Sequence, residues 1–293
     1  MATAFLILTT RCNRRCSYCF YETGYQDRGD QKLTLEVDEA LLCLLGRSRI
    51  DKLILTGGEP LLLPGIVETV RLAAGRGFFT LLLTNAELLT PDLLERLVGA
   101  GLRAISISLD SIVEGPEDKA PWRSLELVAA RRDLSCAVIT PISRRNLSAL
   151  PGIMERISGL GLYILLQPVF VPKEHPLHER LSLSTCDEEE RKRFAEVVET
   201  WRSTHSGSRY ADLLLDFYQP GGTKPPCCMM GTEGVVIDPG GEVMPCFHRP
   251  DLRAGNLGDP DPSAVISRAF ASGEALKNAP CFGEHCISLF SHL

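Results

Sequence analysis

The first two thirds of the chain alternate between two hydrophobic patterns. Short apolar runs rich in β-branched residues predict strands, and the longer stretches between them, apolar every three or four positions, predict amphipathic helices. Most successive strands are spaced by roughly 25 to 30 residues, which leaves room for one helix each. The predicted strands cover residues 4–9, 52–56, 79–84, 104–109, 137–140 and 163–168.

Helix boundaries are marked by residues with known preferences. Thr90 precedes Pro91, and this order predicts an N-cap followed by the first helical position. Pro64-Gly65 and Pro151-Gly152 mark two further starts. Glycine ends helices because it accepts the left-handed conformation, and this predicts helix ends at Gly75, at Gly99-Ala100-Gly101 and at Gly159-Leu160-Gly161.

Strands that alternate with helices predict an α/β fold with a parallel sheet. Six such units suffice for a partial or open barrel, a (β/α)6 arrangement, but not for a closed barrel of eight. The carboxyl ends of parallel strands meet at one rim, and functional groups are expected there.

The remaining third of the chain differs in composition. Its last seventy residues are richer in Gly, Pro and Cys, and this shift predicts two domains, residues 1–205 and residues 206–293. Apolar residues 235–237 and 243–244 flank Asp238-Pro239-Gly240-Gly241, which predicts a β-hairpin.

Composition and charge limit the candidate partners. The 293 residues include 31 Lys+Arg and 37 Asp+Glu, a formal net charge of −6, with no basic stripe. Nucleic acid and membrane surfaces are therefore not expected partners. With neither a signal peptide nor a membrane span recognised, a cytoplasmic location is the default, where clustered cysteines bind metal more often than they form disulfides. The chain has 11 cysteines.

Three of these cysteines follow the first predicted strand. Cys12, Cys16 and Cys19 form a Cys-x3-Cys-x2-Cys run. An iron-sulfur cubane held by three thiolates keeps one iron with an open position for a substrate or cofactor. A three-thiolate zinc site completed elsewhere, or a group of buried cysteines, is the alternative.

This spacing resembles the signature of the radical S-adenosylmethionine (radical SAM) superfamily. The resemblance implies that the cluster is [4Fe-4S], that it binds SAM, and that Tyr18 lies beside the adenine. Gly57-Gly58-Glu59-Pro60 after the second strand resembles the turn that contacts the methionyl amino group of SAM. Glycines allow close backbone approach, and Glu59 offers an acceptor to an ammonium.

Further positions match the superfamily in order along the chain. Thr84-Asn85 ends the third strand, although Ala86 stands where the superfamily often has glycine. Ser108 and Asp110, at the end of the fourth strand, resemble the segment that faces the SAM ribose and the substrate. Gln167 ends the sixth strand, as in relatives.

The second cysteine group resembles the auxiliary-cluster domain of the SPASM and twitch subfamily. The resemblance implies a second [4Fe-4S] cluster ligated by Cys228, Cys246, Cys281 and Cys286. A structural zinc with four thiolates is the alternative. Because Cys227 adjoins Cys228, five cysteines compete for four positions. Cys227 is favoured as the spare thiol, with Cys246 the other choice.

The resemblance also implies a reaction. SAM would be cleaved to methionine and a 5′-deoxyadenosyl radical that abstracts hydrogen from an unactivated carbon, with an electron donor such as flavodoxin or ferredoxin. Epimerisation follows if Cys227 or Cys246 then donates hydrogen, and dehydrogenation follows if the auxiliary cluster accepts an electron. Asp110 and Asp216 are candidate acids or bases.

The compact size resembles the aminocyclitol and aminoglycoside members, so a sugar-like small molecule is the expected substrate, with epimerisation slightly favoured. Modification of a ribosomal peptide is the alternative. It is weakened because only a few residues precede the first strand, which leaves no room there for an N-terminal leader-binding domain. A non-enzymatic iron-sulfur electron carrier would explain the cysteines but not Gly57-Gly58-Glu59-Pro60. Cys43 and Cys136 are interpreted as core residues.

Overall fold

The fold is organised around one sheet, seen in a computed structural model that describes residues 2–19, 34–115, 118–171, 173–204, 209–219 and 229–277. Within these residues the strands are β1 Ala2–Ile7, β2 Ile50–Thr56, β3 Phe79–Thr84, β4 Ala104–Ser108, β5 Ser135–Ile142, β6 Tyr163–Pro168, β7 Gly234–Ile237, β8 Glu242–Met244 and β9 Gly255–Asn256. Their order in the sheet is β6-β5-β4-β3-β2-β1-β7-β8-β9. Strands β1 to β7 pair in parallel, whereas β8 and β9 are antiparallel additions. The predicted α/β partial barrel is confirmed.

Helices connect the strands of the parallel part. The described α-helices are α1 Glu39–Arg47, α2 Ile66–Gly75, α3 Pro91–Gly99, α4 Trp122–Ala129, α5 Leu150–Gly159, α6 His178–Leu181, α7 Glu188–Thr204, α8 Arg209–Phe217, α9 Pro262–Ala271 and α10 Gly273–Lys277. None of the described helices is long and apolar enough to cross a membrane.

Local sequence explains where α3 begins and ends. The Thr90 side chain accepts a hydrogen bond from the Leu93 backbone N–H at 3.2 Å, and Pro91 occupies the first turn. After α3, Gly101 has a φ of 103° and Leu102 N–H returns to the Leu97 carbonyl. The predicted cap and the predicted glycine end are both confirmed.

Residues of β1 alternate between two hydrophobic clusters on opposite faces of the sheet. Ala4 and Leu6 face the larger cluster, which includes the helices. Phe5 and Ile7 face a smaller cluster that includes residues from β7, β8 and the segment beyond them. The alternation is the period of two that a strand buried on both faces requires.

The predicted hairpin exists and continues the main sheet. β7 pairs in parallel with β1 and antiparallel with β8. The buried Asp238 carboxylate accepts hydrogen bonds from the backbone N–H groups of Gly240 and Glu242, which sets the turn. The sheet thus contains strands from both sides of the predicted domain boundary at residues 205/206. The division into two domains stays a prediction.

A turn of two glycines extends the pairing of β1 and β2 beyond the strands. Gly58 N–H donates to the Thr9 carbonyl at 2.7 Å, and Glu59 N–H donates to the Arg11 carbonyl at 2.8 Å. A Cβ at Gly58 would lie 2.2 Å from the Arg11 oxygen, and one at Gly57, where φ is 151°, would lie 2.6 Å from the Thr9 oxygen. The two glycines are therefore required by contact with the chain's own backbone.

We expect Gly58→Ala to lower the free energy of unfolding by about 2 kcal/mol or more, because the added methyl group meets backbone that cannot rotate away. Gly65→Ala is the matched control, since a Cβ there has no neighbour within 4 Å and φ is −88°. It should change stability by about 0.5 kcal/mol or less. Urea denaturation of the three proteins measures this, and equal midpoints would contradict the steric argument.

Candidate active site

A cavity of about 310 Å³ opens at the carboxyl ends of the parallel strands. Its wall contains residues that follow or end β1 to β6, together with two residues that follow β8. They are Cys12, Arg14, Cys16, Tyr18, Cys19, Thr56, Gly57, Gly58, Leu83, Thr84, Asn85, Ser108, Lys119, Ile139, Pro141, Gln167, Pro168, Val169, Phe170, Phe247 and His248. The volume lies at the small end of the range for small-molecule sites.

The three cysteines after β1 all contribute to this wall. Cys12 is exposed, Cys19 is half-buried and Cys16 is buried. Cys19 N–H donates to the Cys16 carbonyl at 2.9 Å, and Arg14 N–H donates to the Cys12 sulfur at 3.4 Å. Although Cys12 as a residue is exposed, partial desolvation of its thiol by the surrounding loop raises the pKa to about 11. Burial raises the pKa of Cys16. Metal binding at these thiols therefore releases protons.

The donor set fits an iron-sulfur cubane held by three cysteines. Three soft sulfur atoms in one loop border one cavity, and the described part of its wall carries no carboxylate. In the described ranges no three Cys, His, Asp or Glu side chains gather as ligands of a single metal ion. A cubane does not require that geometry, because each thiolate binds a different iron atom.

Arg14 joins the cysteine loop to two other loops. Its guanidinium pairs with Glu87, which follows β3, and with Glu114 at 2.5 Å. It also donates to the backbone carbonyls of Gly115 at 2.5 Å and Asp118 at 3.2 Å. The side chain is only 10% exposed. This arginine lies between two of the cysteines, yet motif spacing alone gives it no role, and the sequence prediction missed it.

Glu59 is fully buried behind the two-glycine turn. Its carboxylate accepts from Thr84 Oγ1 at 2.6 Å, from Asn85 N–H at 2.8 Å and from Leu61 N–H at 2.9 Å. Burial raises the pKa of Glu59, although these hydrogen bonds oppose the shift. The carboxylate ties the end of β2 to the end of β3. Neither Glu59 nor Pro60 belongs to the cavity wall, so their contact with a cofactor stays a prediction.

The residue after Thr84-Asn85 adopts the conformation that favours glycine. Ala86 has a φ of 58° and is fully buried. Its N–H donates to Thr84 Oγ1 at 2.9 Å, and its carbonyl accepts from Ser124 Oγ at 2.7 Å. The backbone at this position therefore has a glycine-like shape even though the residue is alanine.

Half-buried Tyr18 and buried Asp110 and Lys119 form a group at the β4 side of the cavity. The Tyr18 hydroxyl and the Lys119 backbone N–H each donate to one oxygen of Asp110. Lys119 Nζ lies 3.7 Å from Asp110 Oδ2 and 5.1 Å from the centre of the Tyr18 ring. Burial raises the pKa of Asp110, while Lys119 opposes the shift. Asp110 thus holds two residues of the wall in place but is not itself part of it. Sequence reasoning missed Lys119, since no motif surrounds it.

The other predicted cofactor-binding residues lie in the same wall. They are Tyr18, Gly57, Gly58, Thr84, Asn85, Ser108 and Gln167. The Gln167 side chain donates to the Pro168 carbonyl at 2.9 Å. These residues end or follow β1, β2, β3, β4 and β6 and span about 150 positions of the sequence. The structure brings them together around one cavity.

Two predicted catalytic residues lie elsewhere in the described chain. Asp216 is exposed on α8, away from the cavity wall. Cys246 is 7% exposed and packs in the smaller hydrophobic cluster beside the wall residue Phe247. Its sulfur accepts from the His248 N–H at 3.4 Å. Both roles stay predictions.

Four predicted cysteine positions, Cys227, Cys228, Cys281 and Cys286, lie outside the described residues. His248, which follows Cys246, contributes to the wall and packs against Phe170 at 4.3 Å between ring centres. Burial lowers the pKa of His248 to about 4, so the imidazole is neutral at pH 7. Phe170 and Phe247 are further wall residues that sequence reasoning missed.

Stability should depend on pH through Glu59. A raised pKa means that the folded chain binds the proton more tightly than the unfolded chain. The contribution of Glu59 to stability is therefore largest below the ordinary pKa of 4.5 and is lost as pH rises through the raised value. We expect the difference in free energy of unfolding between wild type and Glu59→Gln to decrease over this window, measured by urea denaturation of the metal-free protein.

The control for this measurement is Glu68→Gln, whose carboxylate is exposed on α2. It should follow the wild type at every pH. A wild-type advantage over Glu59→Gln that grows with pH would contradict the assigned direction.

The chain is similar to characterised proteins in sequence. The profile of the radical SAM superfamily matches residues 6–128. The PqqA peptide cyclase of Bradyrhizobium diazoefficiens is 30% identical over 256 residues, which cover 82% of this chain and 65% of that protein. The GTP 3′,8-cyclase of Chlorobaculum tepidum is 34% identical over 183 residues, covering 60% of this chain and 51% of that protein. The chain thus spans between half and two thirds of these two relatives.

Solved structures share the fold at low sequence identity. The crystal structure of Streptococcus suis SuiB bound to precursor peptide SuiA has a TM-score of 0.63 and 13% identity, covering 92% of this chain and 66% of that one. The structure of BtrN in complex with AdoMet and 2-DOIA has a TM-score of 0.50 and 17% identity, covering 100% and 95%. The superfamily profile falls on the segment that contains the three cysteines and the two-glycine turn. Residues 6–128 therefore match the radical SAM superfamily, and the sequence relatives agree with that match.

Proposed function

We propose that the chain is a radical SAM enzyme that removes a hydrogen atom from an unactivated carbon. The observation that carries this proposal is that three thiols and the Gly57-Gly58 turn border the same cavity. The match to the superfamily implies SAM and one [4Fe-4S] cluster as cofactors. When bound, they supply one electron and a carbon-centred radical that accepts hydrogen.

The chain's own residues hold the cofactors and exclude water. Cys12, Cys16 and Cys19 bind the cluster, and the polar ends of β3, β4 and β6 offer hydrogen bonds to SAM. The wall also has apolar residues, among them Ile139, Pro141 and Phe170. Such a wall keeps solvent from a reactive carbon radical.

A cysteine exchange tests this activity. After anaerobic reconstitution with iron and sulfide, wild type should release 5′-deoxyadenosine from SAM in the presence of a strong reductant. Cys12→Ala should lose that product and the iron of one cluster, because a cluster ligand is removed. The variant should still fold, since the exposed Cys12 contributes little to the core. Cys43→Ala, on α1, is the matched control and should retain both.

Absence of 5′-deoxyadenosine from a wild-type protein with a full complement of iron would contradict the enzyme proposal. It would favour a non-enzymatic electron carrier. Equal loss of 5′-deoxyadenosine and iron in Cys12→Ala and Cys43→Ala would contradict the assignment of the cysteine loop as the cluster site.

We further propose an auxiliary [4Fe-4S] cluster with Cys228, Cys246, Cys281 and Cys286 as ligands. The local turn at Cys246 supports its role as a ligand. Its sulfur accepts an N–H bond from the residue two positions on, at 3.4 Å, as the Cys12 sulfur does from Arg14. Hydrogen bonds to the sulfurs tune cluster potentials. With Cys246 bound to metal, Cys227 is the spare thiol.

The proposed outcome is epimerisation of a sugar-like or aminocyclitol-like small molecule. The substrate carbon loses hydrogen on one face, and the Cys227 thiol donates hydrogen on the other. An external donor such as flavodoxin or ferredoxin supplies the electron that, with a solvent proton, restores the thiol. If the auxiliary cluster accepts an electron instead, the product is oxidised.

Peptide modification is the second candidate. The Bradyrhizobium diazoefficiens relative, which matches 82% of this chain, is a peptide cyclase. A cavity of about 310 Å³ also accommodates one or two side chains of a peptide.

Isotope incorporation separates these outcomes. Candidate aminocyclitols and peptides are incubated with reconstituted enzyme in deuterated water. Epimerisation predicts one deuterium at carbon in the product, and its loss in Cys227→Ala with iron content unchanged. Cys246→Ala should instead lose the iron of one cluster. A product that lacks two hydrogen atoms and carries no deuterium would contradict epimerisation and support oxidation or cross-linking.

A further inference from the structure

Two large apolar side chains lie exposed at the amino end of the sheet, opposite the end that carries the cavity. Phe79 is the first residue of β3 and is 40% exposed, and Tyr163 is the first residue of β6 and is 47% exposed. β3 has a neighbouring strand on each side, so its apolar residues are expected in the core. The exposure of Phe79 therefore marks a part of the sheet that the described residues leave uncovered.

Both side chains lie on the cavity face of the sheet. Successive residues of a strand alternate between the two faces, so Phe79 shares a face with Leu83, and Tyr163 shares a face with Gln167. Leu83 and Gln167 both belong to the cavity wall. Leu81, between Phe79 and Leu83 on that face, is half-buried. We call Phe79, Leu81 and Tyr163 the open face, which lies below the cavity on the same side of the sheet.

The described chain ends on this side of the sheet. Leu276 of α10 is 2% exposed and packs in the smaller hydrophobic cluster, against which Leu81 also packs. A Cβ at Gly231, just before β7, would lie 2.8 Å from Leu276 Cδ1, which places α10 at the amino end of β7. β7, β1, β2 and β3 are successive neighbours in the sheet. Three strand spacings, about 14 Å in total, therefore separate the end of the described chain from Phe79.

The sequence that follows supplies an apolar partner for the open face. Residues 287–293 read Ile-Ser-Leu-Phe-Ser-His-Leu and contain no Asp, Glu, Lys or Arg. Ten positions separate Lys277 from Ile287, and ten extended residues reach about 33 Å. The separation of about 14 Å is thus covered with length to spare. Contact between this segment and the open face would remove apolar surface of both from water.

We propose that residues 287–293 pack against the open face of the same chain. The occupant is this segment because the described chain ends three strands from Phe79 and the residues that follow carry the apolar side chains that would cover the face. Leu83 of the cavity wall continues the row of Phe79 and Leu81, so this packing supports the cavity from below and excludes water there. The inference goes beyond the proposed function, since it needs neither SAM nor a cluster nor a substrate.

Photo-cross-linking in the reconstituted full-length protein tests this contact. The photoreactive residue p-benzoylphenylalanine replaces Phe79 in one variant and Tyr163 in a second, and both positions are exposed, so the larger ring should not prevent folding. On irradiation its ketone inserts into a nearby C–H bond. Trypsin then releases residues 278–293 as one peptide, because no Lys or Arg follows Lys277. The matched control carries the same probe at Val113, which is 73% exposed but follows β4 at the carboxyl end of the sheet.

Each probe on the open face should form a cross-link with residues 287–293, located by fragmenting the joined peptides in a mass spectrometer, and the Val113 probe should not. A mixture of unlabelled and ¹⁵N-labelled protein should give no product that joins the two isotopes, because the contact lies within one chain. The proposal is overturned if neither open-face probe reaches this segment, if Val113 gives the same link in equal yield, or if the products join two copies. None of these results depends on formation of 5′-deoxyadenosine, so a failed contact and a failed activity are told apart.

Discussion

The site depends on backbone pairing between two loops that carry different parts of it. Gly58 and Glu59 donate their N–H groups to the Thr9 and Arg11 carbonyls, which continues the β1–β2 ladder into the loop of Cys12. Side chains at residues 57 and 58 would separate these segments. The glycines thus place the cysteine loop directly against the turn.

Buried charges then fix the remaining loops around that pair. Glu59 holds the start of the β3 loop through Thr84 and Asn85, and Arg14 holds that loop and the β4 loop through Glu87 and two backbone carbonyls. Every one of these contacts joins residues distant in sequence. Such networks are costly when incomplete and rigid when complete, so these contacts hold the loops around the cavity.

The sequence predicted the parts whose causes are local. Strand positions, the Thr90 cap and the Asp238 hairpin depend on neighbouring residues, and the structure agrees with them apart from the exact strand ends. The parts that escaped prediction depend on distant pairing. No local pattern shows that Glu59 accepts hydrogen bonds from Thr84 at the end of β3. Nor does one show that Lys119 lies beside Tyr18 and Asp110. A shift in composition suggested a separate C-terminal unit, but no local pattern shows that β7 pairs with β1.

That pairing has a consequence for how the chain folds as it is synthesised. β1 leaves the ribosome before the other described strands, whereas its neighbour β7 follows roughly 230 residues later. Until then the β1 edge offers unpaired backbone groups to any other strand, beside the apolar side chains of Phe5 and Ile7. Contacts of such high sequence separation form slowly. The growing chain is thus most prone to aggregate in the interval before β7 covers β1, and the strand that carries the cysteine loop gains its second neighbour only when β7 has been made.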